Sequence, residues 1–206
     1  MKEYSDKYTN SGKLGEMLVS KYFLSVNKLL SRIPREVIDN GNVLEVGCGP
    51  GFSSERISNM LGKSTTFFIS DYEEENVKDA RNKLGKRAKV SLEDIYSLDR
   101  QDNSMSLIFI LEVLEHLEEP EKALAEIRRV GSNYFIFGVP REPVWRILNM
   151  LRGKYLKNLG NTPGHLQNWS RKRFKKFLER NSFRIIAVES PLPWTLVLAE
   201  ELKDEG

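Results

Sequence analysis

The chain is poor in residues that build cross-links: its 206 residues include one cysteine, Cys48, and two histidines, His116 and His165. A single cysteine excludes an internal disulfide framework and a cysteine-rich zinc site, because each needs at least two sulfurs. The histidines are distant in sequence and lack the cysteine or carboxylate spacing typical of metal centres. We therefore expect no metal site.

Long hydrophobic runs are also absent. No apolar stretch approaches the ~20 residues that a membrane-spanning helix needs, and the opening MKEYSDKYTN lacks the apolar core of a signal peptide. These two absences predict a cytoplasmic protein. The length and the 40% content of hydrophobic residues fit one α/β domain with its own core.

Charge is unevenly distributed along the chain, although the net charge is only +3. Residues 141–184 contain twelve Lys or Arg and two Asp or Glu. This basic segment indicates either an anionic or membrane-associated partner or a solvated basic face, and both interpretations stay open.

The pattern of hydrophobic residues predicts a mostly parallel sheet of seven strands. Short runs rich in β-branched and aromatic residues alternate with helical patterns, as in repeated βαβ units. The predicted strands are residues 43–46, 65–69, 88–92, 105–111, 134–139, 183–188 and 194–199, and the predicted helices are 52–61, 73–84, 120–130 and 171–180. Only three residues separate the last two strands, which is too short for a parallel crossover, so this pair should be antiparallel.

Two segments fall outside this alternation in the single predicted domain of residues 1–206. Residues 1–40 should form an N-terminal helical cap, because Leu14, Leu18, Tyr22 and Val26 recur at intervals of four. Residues 140–169, between the fifth strand and the late helix, should form a helical insertion or lid.

The strongest chemical signal is the sequence VLEVGCGPG at residues 43–51. A strand that enters a glycine-rich turn and then a helix brings backbone N–H groups and a helix N-terminus to a ligand. A dinucleotide site would have its third glycine at position 52, where Phe52 stands, and Glu45 lies two residues before the first glycine. Pyrophosphate binding is therefore disfavoured.

Four segments together resemble one known family, the class I S-adenosylmethionine-dependent methyltransferases of the small-molecule, quinone-biosynthesis-type subgroup. These segments are VLEVGCGPG at 43–51, Asp71 at the end of the second strand, LEDI at 92–95 and LEVLEHL at 111–117. The resemblance covers roughly residues 40–200. It implies a Rossmann-like α/β fold with an antiparallel last strand, helices on both faces of the sheet, and S-adenosylmethionine as cofactor.

The spacing supports a ribose-binding role for Asp71, which the resemblance implies. Asp71 follows Gly51 by the length of one helix and one strand, so it should lie beside the glycine turn at the carboxyl edge of the sheet. The alternative is a helix cap, because Asp71 and Glu74 have the spacing of a capping box.

The resemblance also assigns the other cofactor contacts. Glu45 would orient the methionine ammonium, Tyr72 and Ile95 would flank the adenine, and Asp94 would accept from its amino group. Ordinary burial for Tyr72 and Ile95, and a surface turn for Asp94, are the alternatives. The remaining predicted contacts are Gly47, Cys48, Gly49, Gly51 and Leu111, with Cys48 a small, unreactive packing residue.

The two histidines are the candidate catalytic residues. His116 follows the fourth strand, and His165 lies in GHLQNWS, which resembles the stretch before the late helix in many relatives. Either could accept a proton near neutral pH, which a hydroxyl acceptor would require. Alternatively, both histidines only orient their loops.

The acceptor is the least determined part of the prediction. Apolar residues from Val144 to Leu156 alternate with cations, which indicates an amphipathic lid or, equally, a packed helix with a basic rim. The leading hypothesis is a methyltransferase for a small or medium-sized acceptor, anionic or lipid-linked. The alternatives are an RNA or protein methyltransferase, with nucleic acid disfavoured, and a non-catalytic cofactor-binding subunit; the oligomeric state stays open.

Overall fold

The computed structural model describes residues 12–202. The family resemblance weakly suggests Tyr8 and Lys13 as further cofactor contacts; Tyr8 lies outside the described residues, and Lys13 is exposed in the first helix. Seven strands and seven α-helices alternate along the described chain. In order they are α1 (Gly12–Leu30), α2 (Arg35–Asp39), β1 (Asn42–Val46), α3 (Phe52–Ser58), β2 (Thr66–Asp71), α4 (Glu74–Leu84), β3 (Lys89–Leu92), β4 (Met105–Leu111), α5 (Pro120–Val130), β5 (Gly131–Pro140), α6 (Val144–Leu151), α7 (Arg171–Arg180), β6 (Phe183–Glu189) and β7 (Trp194–Glu201).

The strands form one sheet in the order β3-β2-β1-β4-β5-β7-β6. All pairings from β3 to β5 are parallel, and β7 is antiparallel to both of its neighbours. The predicted seven strands and the reversed last strand are therefore confirmed. The order reverses between β1 and β4, which places a crevice at the carboxyl ends of these strands, where open α/β sheets bind ligands.

Helices cover both faces of the sheet, because the central strands are apolar on both sides. In β4, Leu107 and Phe109 belong to the core beneath α1, α3 and α4, whereas Ile108 and Ile110 belong to the core beneath α5 and α7. This alternation follows from the two-residue period of a strand. Burial on both faces explains why the strand reads as a continuous apolar run.

Helix α1 packs on the first of these faces, but with a different stripe from the predicted one. Tyr22 and Val26 are buried as expected, whereas Leu14 is 63% exposed and Val19 is buried in addition. The buried residues of α1 follow the 3.6-residue period of the helix, and a strict interval of four drifts away from the core. No helix in residues 12–202 is long and apolar enough to cross a membrane.

The 140–169 segment is a short helix followed by turns. Helix α6 ends at Leu151, and a 3₁₀ turn follows at Leu156–Asn158. Trp145 of α6 is buried, with its ring centroid 5.8 Å from that of Trp194 on β7, and its indole N–H donates to Thr162 Oγ1 at 2.9 Å. The helix is thus anchored beside the β5–β7 edge rather than over the β1–β4 crevice.

Candidate functional site

The glycine turn after β1 is clamped to the end of β2. The N–H groups of Gly47 and Cys48 both donate to the carbonyl of Ser70, at 2.8 and 2.9 Å. Gly51 has φ +83°, and a Cβ there would lie 2.9 Å from Leu84 and 3.2 Å from the backbone of Ala80, so only glycine fits between the turn and α4. Gly49 has φ +52° and no atom within 4 Å of a built Cβ, which leaves open space above the turn.

Asp71, at the end of β2, joins this turn to the start of α4. Its Oδ2 accepts from the N–H of Gly49 at 2.8 Å, and its Oδ1 accepts from the N–H of Glu73 at 3.0 Å and from Asn76 Nδ2 at 3.1 Å. A carboxylate offers about four lone-pair positions, so these three donors leave about one for a ligand. The capping-box alternative is wrong, because the N-cap of α4 is Glu73.

Glu45 is a buried carboxyl beneath the turn, with 1% exposure. Its Oε2 accepts from Ser54 Oγ at 2.5 Å, and its Oε1 has no hydrogen-bond partner within the described residues. Burial raises the pKa of Glu45 to about 7, although the hydroxyls of Ser53 and Ser54 lower it and the charge of Asp71 raises it slightly. The carboxyl therefore changes its protonation state near neutral pH.

A cleft of about 1110 Å³ opens beside the turn, between the ends of β1, β2, β3 and β4. Its lining carries one lysine, Lys83, and many carboxylates. The acidic lining residues are Asp71, Glu73, Glu75, Asp79, Glu93, Asp94, Glu112, Glu118 and Glu119. Walls of one charge sign concentrate ligands of the opposite sign, so this cleft favours a cationic ligand over a polyanion.

The three residues that the family resemblance assigns to the adenine all line this cleft. Tyr72 is 73% exposed, so its ordinary-burial alternative is wrong, and Ile95 is 7% exposed at the cleft wall. Asp94 lies in a surface turn, where its Oδ1 accepts from the N–H of Tyr96 at 2.9 Å, and it also lines the cleft. Asp94 can take part in the surface turn and also face the cleft, because the turn uses its Oδ1 and its Oδ2 stays available for a ligand.

A second, small cavity of about 30 Å³ shares the glycine turn with the cleft. Cys48 and Leu111 line it, together with Tyr22 of α1 and Glu112. Cys48 is buried, and burial beside Glu45 and Asp71 raises the pKa of its thiol, which keeps the thiol protonated and fits the expected packing role. Tyr22 and Glu112 did not stand out in the sequence, because only the sheet topology brings α1 and β4 to one turn.

The two histidines lie together at the edge of the cleft, although they are far apart in the chain. Gly164, which precedes His165, is 48 positions from His116. The ring centroids of the two histidines are 4.9 Å apart, and His116 lines the cleft. The histidines are thus distant in sequence but adjacent in the fold, and a carboxylate, Glu115, lies with them: its ligand atom and one ring nitrogen of each histidine lie within 4.8 Å of one another.

Hydrogen bonds of the 162–169 segment bring His165 to this position. The backbone N–H groups of Leu166 and Gln167 both donate to the carbonyl of Glu115, at 2.8 and 3.0 Å. The Nδ1 atom of His116 lies 3.0 Å from the carbonyl of Gly164. Among the described residues, His165 is the predicted site residue of the 140–169 segment, and no residue of that segment lines the cleft itself.

The sequence places Glu115 beside His116 but gives no indication that its side chain is buried in the site. Glu115 stands in the LEVLEHL motif beside His116, yet a glutamate in a charged loop is expected at the surface. Its burial to 1% exposure depends on the 162–169 segment, which covers it. Ser54, which binds Glu45 from nine residues away, carries no sequence signal of its own.

Comparison with known proteins places the site in a recognised domain. Residues 44–133 match the family model described as a methyltransferase domain. An uncharacterized 37.1 kDa protein in transposon TN4556 of Streptomyces fradiae is 33% identical over 113 residues, which are 53% of this chain and 32% of that protein. An uncharacterized protein of Methanocaldococcus jannaschii is 29% identical over 161 residues, 76% of this chain and 59% of that protein. The chain thus spans less than two thirds of both curated relatives.

Solved structures share the fold at low sequence identity. A SAM-dependent methyltransferase from Aquifex aeolicus superposes with a TM-score of 0.67 at 23% identity, over 84% of this chain and 88% of that one. Magnesium protoporphyrin IX methyltransferase from Synechocystis, with bound SAH, gives a TM-score of 0.67 at 16% identity, over 92% and 88% of the two chains. The Rossmann-like sheet with its reversed β7 is therefore the sheet of these proteins.

Proposed function

We propose that the chain is a class I S-adenosylmethionine-dependent methyltransferase, which binds this cofactor at the glycine turn and methylates a small or medium-sized acceptor, anionic or lipid-linked. The observation that carries the proposal is the contact between Asp71 and the Gly49 N–H, which joins the turn to the neighbouring strand beside an open cleft. This is the position where open α/β sheets bind nucleosides.

The residues at this position fit the cofactor in charge and in space. Asp71 keeps a lone pair for a ribose hydroxyl, and the open space at Gly49 leaves room for the chain between ribose and methionine. Tyr72, Asp94 and Ile95 would hold the adenine, and Glu45 would attract the methionine ammonium, directly or through water. Gly47, Gly51, Cys48 and Leu111 shape the turn and the small cavity beneath it.

When bound, S-adenosylmethionine supplies a methyl group on a cationic sulfur, and the C–S electron pair stays with sulfur when the acceptor takes the methyl group. The acidic walls of the cleft attract this cation and disfavour a pyrophosphate or a nucleic-acid backbone. The chain's own contribution is to fix cofactor and acceptor in line, which supplies roughly 7 to 11 kcal/mol in well-oriented reactions.

His116 and His165 would serve the acceptor. His116 lies on the cleft wall, and His165 and Glu115 lie beside it. A hydroxyl acceptor must lose a proton to be methylated, and an imidazole on the cleft wall, that of His116, could accept it with His165 beside it.

The 140–169 segment is the proposed acceptor-recognition region, because it supplies His165 and presents an unusual surface. Its apolar side chains Ile147, Met150, Leu151, Leu156 and Leu159 are between 37% and 78% exposed. Exposed cations at Arg152, Lys154 and Lys157 lie among them. This combination fits an anionic lipid surface, where a lipid-linked acceptor would be found.

The cations of α7 give less support to an RNA acceptor. Phe174 and Leu178 of α7 are fully buried, whereas Arg171, Lys172 and Arg173 face solvent. The apolar residues therefore pack on the sheet instead of standing as stacking platforms between the cations, which RNA recognition requires.

The proposal is tested by calorimetry with S-adenosylhomocysteine. We expect saturable binding to the parent chain and at least tenfold weaker binding to Asp71→Ala, because the substitution removes both the ribose acceptor and the clamp on Gly49. Asp99→Ala, which removes an exposed carboxylate after β3, is the matched control. Failure of the parent chain to bind at millimolar concentration would refute the enzyme hypothesis and the cofactor-binding-subunit alternative together.

A further inference from the structure

Glu115, His116 and His165, here called the histidine cluster, combine two imidazoles and one carboxylate in a small volume. One ligand atom from each lies within 4.8 Å of the others. Glu115 and His165 are buried, at 1% and 5% exposure, whereas His116 lies on the cleft wall. The cluster is therefore closed towards the protein interior and reachable from the cleft.

Hydrogen bonds between main-chain and side-chain groups fix the two halves of the cluster against each other. The carbonyl of Glu115 accepts from the N–H groups of both Leu166 and Gln167, and Gln167 Nε2 donates to the carbonyl of Leu117 at 3.2 Å. These bonds attach the segment with His165 to the 3₁₀ turn Leu114–His116 and to the residue after it. Side chains supported in this way meet without a large loss of conformational freedom.

The ring of His116 is held by a contact that is common for metal-binding histidines. A carbonyl only accepts hydrogen bonds, so the 3.0 Å contact with Gly164 places the proton of neutral His116 on Nδ1 and leaves a lone pair on Nε2. Metal-binding histidines usually donate their other ring N–H in this manner. The ring of His165 stacks on Trp145, with centroids 6.1 Å apart and planes at 29°.

We propose that the histidine cluster binds one divalent first-row transition-metal ion through the carboxylate of Glu115 and one ring nitrogen each of His116 and His165. Imidazole and carboxylate are suitable ligands for zinc, manganese, cobalt and iron(II). Ligand atoms about 2.0 to 2.2 Å from a metal stand roughly 3.4 Å apart in a tetrahedron, so small side-chain rotations would complete the site.

Three protein ligands leave at least one coordination position open, and the exposed side of His116 directs it to the cleft. The role of the metal, though not its binding, rests on the proposed function. The ion would bind a hydroxyl or carboxylate oxygen of the acceptor and favour release of a hydroxyl proton to solvent water. The histidines would then act as metal ligands and would no longer serve as free bases.

Cobalt(II) is a suitable probe, because its visible absorption reports the number and type of its ligands. The purified chain, freed of metal by a chelator, should bind one equivalent with a spectrum of nitrogen and oxygen coordination. We expect His165→Gln and Glu115→Gln each to weaken binding at least about 100-fold, and Glu121→Gln, an exposed carboxylate on α5, to leave it unchanged. An unchanged titration in both cluster variants would overturn the proposal.

A variant that fails to fold leaves the titration of that variant uninterpretable, so the parent chain carries a second test. Crystals grown with Mn²⁺ should give an anomalous difference peak between Glu115, His116 and His165, and a peak elsewhere alone, or none at this cluster, would refute the site. S-adenosylhomocysteine calorimetry on the same metal-free sample separates the two proposals: cofactor binding without metal binding rejects only the metal site, and metal binding without cofactor binding rejects only the methyltransferase proposal.

Discussion

Glu45 illustrates how a single residue in the site links binding to protonation. Its carboxyl is buried beneath the glycine turn and accepts from Ser54, yet no charged group among residues 12–202 hydrogen-bonds to it. Burial therefore makes its protonated form favourable up to a pH of about 7, the raised pKa of this group. A cationic ammonium beside it would reverse this preference, because an opposite charge stabilises the carboxylate.

We predict that Glu45→Gln flattens the pH dependence of stability. Between the ordinary pKa of 4.5 and the folded pKa of about 7, the unfolded carboxyl ionises while the folded one keeps its proton, so the unfolding free energy of the parent falls as the pH rises. The fall, complete at about pH 8, amounts to about 3 kcal/mol relative to the glutamine variant, and roughly three quarters of it occurs between pH 5 and pH 8. Urea unfolding at pH 5 and pH 8 measures it, and parallel profiles for the two proteins would contradict the assignment.

The predicted position of Asp71 beside the glycine turn is confirmed, because that position depends on spacing along the chain. One helix and one strand return the chain to the carboxyl edge of the sheet, so the distance from Gly51 was sufficient to place it beside the turn. The sequence did not predict which groups donate hydrogen bonds to the Asp71 carboxylate. Gly49, Glu73 and Asn76 occupy three acceptor positions, and these contacts depend on the conformation of two turns.

At the scale of elements, the 140–169 segment had two open interpretations, an amphipathic lid and a packed helix with a basic rim. Helix α6 ends at Leu151 and its Trp145 is buried against β7, which favours the packed helix for this part of the segment. A tryptophan with a polar partner for its N–H packs well in a protein interior, and Thr162 provides that partner at 2.9 Å. The remaining apolar residues are left on the surface.

We predict that this surface binds anionic vesicles. The double variant Leu151→Ser with Leu159→Ser should weaken sedimentation with phosphatidylserine-containing vesicles at least tenfold, because it removes two exposed apolar side chains, 78% and 68% exposed, among cations. Leu24→Ser on α1, also 68% exposed, is the matched control and should bind as the parent does. Equal binding by the double variant and the parent would exclude this segment as the lipid contact.

At the scale of the whole molecule, the charge is divided between two regions. The cleft is acidic, whereas residues 141–184 contain most of the excess cations. A net charge of +3 therefore conceals an acidic cleft, which suits the proposed cationic cofactor, and a basic segment, which suits the proposed anionic surface.

Ligand binding should stabilise the folded chain, and a comparison of S-adenosylhomocysteine with NAD⁺ tests whether the site binds a nucleoside or a dinucleotide. S-adenosylhomocysteine at about 100 times its dissociation constant should raise the unfolding free energy by about 2.7 kcal/mol. For a domain of this size the midpoint of thermal unfolding would rise by roughly 5 to 10 °C. Differential scanning calorimetry measures the shift, and NAD⁺ at the same concentration should give none, because Phe52 replaces the third glycine and the cleft is acidic. A larger shift with NAD⁺ would refute the cofactor assignment.

The sequence by itself determined the seven-stranded sheet, its reversed last strand and the glycine turn with Asp71, because hydrophobic period, glycine position and spacing are local properties of the chain. Only the tertiary structure decided that Glu115, His116 and His165 form one cluster and that α6 is anchored against β7. These arrangements depend on hydrogen bonds and packing between residues about 50 apart in the chain, such as those of Gln167 with Leu117. No periodicity in the sequence encodes such contacts, since they arise only when the folded sheet brings two loops to the same edge.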